Sequence, residues 1–444
     1  MNELTTQASL LEALEAERYD QVRLLLPRLH PSEIAHLLES LPTKSRETLW
    51  GLIESGEQGN VLSHAQDAVR TGLLELMQPK QVADATIGLE TDDAADILQD
   101  LPEEMIDSVL LSMDAQNRAR VSSILSYPED TAGGLMNTDV VSVRADVSMD
   151  VVSRYLRQLG KLPERTDSLM VVDRGNNYVG TLPLSSILTL KPHVRVGAVM
   201  QTGKAIPATT PDHEVARTFE QWDLLSAAVV DEQGILLGRI TVDDVVDVIQ
   251  DEAEQAVLSM AGLEGDDVFA PVLFSAKRRA VWLGINLVTA FLASWVIGRF
   301  TAVLQHLVAL AVLMPIVASM GGNAGIQTLT IAVRGLALGQ LSKTSTRFLL
   351  LKELAVGMLN GLVWSCIVAV VAVLWYGQIS LGFIIGLAMI INLAVAAIAG
   401  AMIPILLKKA GVDPAIGSAV LLTTVTDVVG FMTFLGLATL FLIP

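Results

Sequence analysis

From residue 280 onward, apolar residues run in five stretches of membrane-spanning length, at about 280–300, 307–336, 354–376, 381–407 and 415–443. Each is long enough to cross a hydrocarbon core as a helix. Basic residues set their direction. Lys277, Arg278 and Arg279 precede the first stretch, Arg334, Lys343, Arg347 and Lys352 lie between the second and third, and Lys408 and Lys409 follow the fourth. The remaining connections carry almost no charge apart from Arg299. The positive-inside rule then predicts a cytosolic N-terminus and an outside C-terminus, which five spans satisfy.

The preceding residues have a shorter, mixed periodicity. Pro31-Ser-Glu-Ile-Ala-His-Leu-Leu-Glu-Ser-Leu-Pro42 recurs as Thr91-Asp-Asp-Ala-Ala-Asp-Ile-Leu-Gln-Asp-Leu-Pro102. Both copies read as a capped helix start, an apolar face and a terminating proline, so stacked helix pairs are expected to about residue 130. A second repeat opens at Met136 and again at Met200. It carries β-rich apolar runs around Gly-containing turns, Leu169-Met-Val-Val-Asp-Arg-Gly-Asn-Asn-Tyr-Val-Gly180 and Ala228-Val-Val-Asp-Glu-Gln-Gly-Ile-Leu-Leu-Gly238. Each unit is expected to fold as strand, helix, hairpin and helix.

Charge divides the chain at the same place. Of 30 basic and 48 acidic residues only 7 and 3 lie from residue 280 onward, which leaves 23 basic and 45 acidic residues before it, a net charge of −22. Such acidity speaks against nucleic-acid binding and fits solubility or multivalent-cation binding. The N-terminus, MNELTTQASLLEALEAERYD, has no apolar signal core, so the first 279 residues are expected in the cytosol. The single cysteine, Cys366, rules out an intrachain disulfide. No Gly-x-x-x-x-Gly-Lys-Ser/Thr loop is present to power ATP-driven transport. The six histidines lack ligand spacing, which leaves zinc catalysis without support.

Against this apolar background Asp427 stands out as the acid in the interior of a membrane-length stretch. A carboxylate at bilayer depth costs about 2.5–3.5 kcal/mol even on the lenient insertion scale, so it must face water, a partner or an ion. Thr423 and Thr424 lie one turn before it. In the second stretch, Met314-Pro-Ile-Val-Ala-Ser-Met-Gly-Gly-Asn-Ala-Gly-Ile-Gln327 places Gly321, Gly322, Asn323 and Gln327 at matching depth. At a helical rise of 1.5 Å, Gly322 is about 18 Å from Arg334 and Asp427 about 21 Å from Asp413. Pro315 and the glycines would let carbonyls turn toward a cavity while Asn323 and Gln327 offer amide oxygens. Oxygen donors suit hard cations such as Mg²⁺, which gives up its water reluctantly. The competing readings are a small-residue packing face for Gly321 and Gly325 with Asn323 bonding across helices, and a structural ion pair of Asp427 with Arg334 or Arg299.

The paired second repeat resembles tandem cystathionine-synthase-type (CBS) domains. With five spans, the Gly-Gly-Asn run, Gly411-Val-Asp-Pro414 and Thr426-Asp-Val-Val-Gly430, the chain resembles the MgtE family of magnesium channels over nearly its whole length. The resemblance implies a multidomain α+β protein with an all-α membrane domain. Its parts would be a helical N-terminal superhelix at 1–132, CBS units at 133–197 and 198–250, a connecting helix at 251–279 and a five-helix pore domain at 280–444. It further implies a homodimer in the inner membrane, with hydrated Mg²⁺ held at Asp427 beside Gly321, Gly322 and Asn323. Cytosolic Mg²⁺ would close the pore through acids matching Asp92, Asp96, Asp223, Asp244, Asp247, Glu252 and Asp413, a coupling of concentration to gating. The bland alternative for each is a solvated acid. Gln255 and Ala256 stand where the family carries further acids, which predicts feedback that is weaker or tuned to higher concentration. Thr241 and Asp244 suit a nucleotide ribose, whereas Ser185 and Ser186 replace the basic and acidic residues of a nucleotide-binding relative, so ATP binding is left open. Exchange of a divalent cation for Na⁺ or H⁺, and a nucleotide receptor that conducts nothing, are the alternative functions.

Overall fold

The computed structural model describes residues 3–260, 272–337, 341, 343–412, 414 and 417–442. Its contacts divide the chain into a unit reaching to Ala253 and a second containing the membrane-length helices.

Ten short α-helices occupy Glu3 to Ile124 among the described residues. The two copies of the first repeat form helices α1 (Pro31–Glu39) and α2 (Thr91–Gln99). His30 and Glu33 close a reciprocal capping box on α1, with Pro31 in the first turn where its missing N–H costs nothing. In α2, Asp92 and Asp93 complement the helix dipole while Ala94, Ala95, Ile97 and Leu98 are buried. Asp92 is buried with them.

Each copy of the second repeat is a three-stranded sheet. Strands β1 (Ser142–Arg144), β2 (Ser168–Val172) and β3 (Tyr178–Pro183) lie in that order, β1 parallel and β3 antiparallel to β2. Helix α3 (Met149–Leu159) makes the crossover and α4 (Leu184–Thr189) follows. The second copy repeats the topology with β4 (Ala205–Pro207), α5 (Asp212–Trp222), β5 (Ser226–Val230), β6 (Leu236–Thr241) and α6 (Val242–Met260). Met170, Val172, Ala228 and Leu236 form a small core shared by the two sheets.

The membrane-length helices are α7 (Val272–Gly298), α9 (Ala309–Ala337), α10 (Lys343–Tyr376), α11 (Ile379–Lys409) and α12 (Ser418–Leu442), with the short α8 (Thr301–His306) after the first. All five are long and apolar enough to cross a membrane. Helix α11 packs against α9, α10 and α12 and is the most enclosed of them. Small residues bring the backbones together, since lipid supplies no hydrophobic drive between helices. At Gly400 of α11, an added Cβ would lie 2.6 Å from the carbonyl oxygen of Gly325 in α9.

Two sequence expectations are corrected here. Helix α9 is continuous through Pro315, Gly321, Gly322 and Gly325, so the carbonyls of the Gly-Gly-Asn run belong to a helix and do not splay toward a cavity. Helix α10 begins well before residue 354, which places Glu353 inside the span Ser345–Tyr376. Asp427 is therefore not alone as an acid within a membrane-length helix.

Candidate ion pathway and acid cluster

One face of α9 carries Ser319, Asn323, Gln327, Thr330 and Arg334, all exposed. Their spacing of three and four residues aligns them in one polar stripe. Such groups do not face lipid tails, so the stripe must face water, a partner or an ion. Asn323 donates only a long 3.5 Å contact to Ser319 Oγ within its own helix. Its carboxamide is thus almost free to serve something else. Gly321 and Gly325 face inward instead. A Cβ on Gly325 would meet Leu422 of α12 at 2.9 Å, and one on Gly322 would reach Thr423 Cγ2 at 4.0 Å. The glycines therefore do act as close-approach positions, and they bring the Gly-Gly-Asn run against the Asp427 helix.

Asp427 is half-buried on α12. Among the described residues no hydrogen bond or ion pair reaches it, and Arg299 lies over the Trp295 ring, 5.9 Å from its centroid. Thr423 and Thr424, one turn earlier, both donate to the Val420 carbonyl, at 3.0 and 2.7 Å. Their hydroxyl oxygens keep acceptor capacity. The matching depth counted from the sequence thus corresponds to a real approach of α9 to α12 at Gly322 and Thr423.

Glu353 is the acid the sequence reading passed over. It is only 4% exposed, accepts a 3.1 Å hydrogen bond from Thr328 Oγ1 of α9 and lies 3.4 Å from Lys352 Nζ. It ties α10 to α9 one residue beyond Gln327. Glu353→Ala should lower unfolding stability in detergent by about 1–3 kcal/mol, the cost of removing one partner of a buried polar contact. Glu353→Gln, which keeps an acceptor, should lose less. Equal melting of the alanine variant and parent would remove this role.

In the unit reaching to Ala253 the structure gathers a second set of carboxylates. Glu90, Asp92 and Asp93, at the start of α2, each place a carboxylate oxygen within 4.8 Å of the others. Asp243, Asp244 and Asp247 at the start of α6 act on the same acids. Burial, then the charges of Asp244, Asp93 and Glu90, push the Asp92 carboxyl well above the usual range. Asn137 Nδ2 donates to it at 3.2 Å. Burial also raises Asp93 to about 6 and Asp96 to about 7. Asp244 rises to about 7 through burial and then Asp243, although Thr241 N and Oγ1 donate to its Oδ2 at 3.0 and 3.1 Å. These acids are held together against their own repulsion, and oxygen donors at this spacing suit a hard divalent cation.

Glu90, Asp93, Asp243 and a cation, Arg165, are the members that sequence reasoning missed. Arg165 Nη1 lies 2.5 Å from Asp243 Oδ2 and 3.5 Å from Glu90 Oε2. It adopts a left-handed backbone (φ 52°), and the buried Arg239 donates to the carbonyls of Glu164 and Arg165 at 2.5 and 3.4 Å. Of the other predicted acids, Asp247 is exposed beside the cluster. Glu252 lies elsewhere, near His213 and Asp212, and its carboxyl is raised mainly by burial. Asp223 is an exposed helix C-cap with φ 48°. Asp413 lies outside the described residues.

Helical repeats, paired CBS-type units and five membrane-length helices carrying polar and acidic groups define the class: a multi-pass membrane protein with a large N-terminal domain set. Family models place it further. The divalent cation transporter model MgtE matches residues 314–437, the MgtE intracellular N domain matches 29–130, and the CBS domain matches 132–192 and 196–251. The magnesium transporter MgtE of Thermus thermophilus is 33% identical over 443 residues, 98% of each chain. That of Bacillus subtilis is 29% identical over 422 residues, covering 95% of this chain and 94% of the relative. The crystal structure of the cytosolic domain of the Mg²⁺ channel MgtE in complex with ATP matches with a TM-score of 0.50 at 31% identity, over 55% of this chain and 99% of that one. The chain belongs to the MgtE family of magnesium transporters.

Proposed function

We propose that the chain is a homodimeric magnesium channel of a bacterial-type inner membrane, N-terminus in the cytosol and C-terminus outside, closed by cytosolic Mg²⁺. The observation that carries the reading is Asp427, a half-buried intramembrane carboxylate with no hydrogen-bond or ion-pair partner among the described residues, on the helix that approaches α9 where its polar stripe passes Asn323. Two protomers presenting these faces to each other would bury both stripes away from lipid and set two carboxylates on one path. A hydrated divalent ion fits such a path, because amides and hydroxyls can bind its water while the carboxylates supply charge. Inflow follows the gradient and an inside-negative potential, which gives a divalent ion about 2 × 2.3 kcal/mol per 100 mV.

Regulation belongs to the acids of α2 and α6. The raised carboxyl pKa values reflect burial first and mutual repulsion second, and Mg²⁺ would offset both by joining the two helices' carboxylates. Such binding lowers the free energy of the joined state by an amount that depends on cytosolic concentration. ATP, present in the structural relative, would use the Thr241 and Asp244 turn; Ser185 and Ser186 supply no matching charge in the first unit.

The deciding experiment is Mg²⁺ flux into proteoliposomes with Mg²⁺ absent or present on the domain side. Flux that is fast without Mg²⁺ and suppressed by it is expected. Saturating flux that requires Na⁺ or a proton gradient would replace the channel with an exchanger, and no flux at all would leave a receptor.

A further inference from the structure

Asn392 lies at the middle of α11, and it is completely buried. Its Nδ2 donates to the Val317 carbonyl of α9 at 2.9 Å, while its Oδ1 finds no donor among the described residues. A buried polar atom left unpaired is expensive, and an apolar side chain at the same place would avoid that cost. Stability alone does not account for an asparagine here.

Its neighbours show what the carboxamide does. A Cβ on Gly321 of α9 would lie 2.2 Å from Asn392 Nδ2, and one on Gly430 of α12 would lie 2.8 Å from the same atom. Both glycines are therefore required by this one side chain. Gly321 opens the Gly-Gly-Asn run, and Gly430 follows Asp427 by three residues. The carboxamide is a wedge between the helix bearing Asn323 and the helix bearing Asp427, and its hydrogen bond to Val317 fixes it to the former.

We propose that Asn392 is a positioning residue of the ion pathway: it sets the separation and rotation of α9 against α12, and so the distance between the Asn323 and Asp427 donors, without itself touching the ion. This inference rests on reading Asp427 as the ion site. Because a hydrated ion is discriminated by where its water-binding groups stand, a shift of the two helices should alter selectivity as well as rate.

The test uses full-length protein in proteoliposomes, with Mg²⁺ and Co²⁺ as the probes. Asn392→Leu removes the hydrogen bond and also the unpaired oxygen, so the protein should still elute as a folded dimer. Its Mg²⁺ flux should fall about tenfold or more, the scale on which displacements near 1 Å act at a functional site, and the Mg²⁺ to Co²⁺ flux ratio should change. Gly321→Ala should abolish flux by steric collision. Adding Asn392→Ala should restore part of it, since the methyl added at position 321 takes the space the carboxamide leaves, and this pair keeps the test decisive if the leucine variant fails to fold. Parental flux and flux ratio in Asn392→Leu, or no recovery in the double variant, would overturn the inference. Asp427→Asn in the same assay separates the two levels: if it conducts normally, the pathway reading itself fails.

Discussion

Asp427→Asn should reduce Mg²⁺ flux by about 10²-fold or more while leaving a folded dimer. The substitution keeps size and hydrogen-bonding capacity and removes one charge per protomer, hence two from the path that the proposed dimer would share. A hydrated ion is held chiefly by Coulomb attraction across its own water, and loss of about 3 kcal/mol of such attraction corresponds to about 10²-fold in affinity. Folding should survive because no ion pair or hydrogen bond to Asp427 is broken, and an amide is cheaper than a carboxylate in the bilayer. The pairing with Arg299 or Arg334 that a structural role would need is absent among the described residues. Flux in proteoliposomes and size exclusion in detergent check both halves of the expectation. Normal flux in a folded dimer would remove Asp427 from the pathway, and loss of the dimer would make it structural.

Much of this architecture was legible in the sequence because it rests on length and period. Five apolar stretches, a repeated helix and a repeated hairpin each reflect a local rule, and the structure contains each of them, although only the first copy of the helix carries the expected side-chain cap. Asp427 was legible because a carboxylate among apolar residues has no ordinary reason to be there. Glu353 was not, since the apolar stretch reads from residue 354 and leaves it in the connection beside Lys352; only the start of α10 at Lys343 shows that the helix carries it inside. Asn392 gave no signal either. Its role depends on Gly321 and Gly430, which come together only through three-helix packing. Arg165 is a still harder case: its left-handed turn is held by Arg239, 74 residues later. In the Gly-Gly-Asn run the sequence misled, because glycines that permit a bend serve equally well for close helix approach, and continuous hydrogen bonding won.

The acids of α2 and α6 should make Mg²⁺ binding proton-linked, and Asp92→Asn with Asp244→Asn should weaken that linkage. The sign follows from the raised pKa values. Asp93 near 6 and Asp96 and Asp244 near 7 hold protons in the folded protein at pH values where an unfolded chain has already lost them. The native state then binds more protons than the unfolded state, so without Mg²⁺ the stability of the soluble unit should fall as pH rises from about 4 to about 7. Mg²⁺ needs the ionised oxygens, so it displaces those protons and binds more tightly as pH rises. For each proton displaced, the Mg²⁺ midpoint should move by up to about tenfold per pH unit below the raised pKa values. Titration of the full-length protein in detergent, by calorimetry in two buffers of different ionisation enthalpy, should show proton release on binding at pH 6.5. In the double variant release should fall to what Asp93 and Asp96 still supply, closure should need more Mg²⁺, and melting without Mg²⁺ at pH 8 should rise because the buried charge of Asp244 has gone. Binding and closing curves identical to the parent's at both pH values would show these carboxylates to be a solvated acidic face, and the sensing role would pass to other residues.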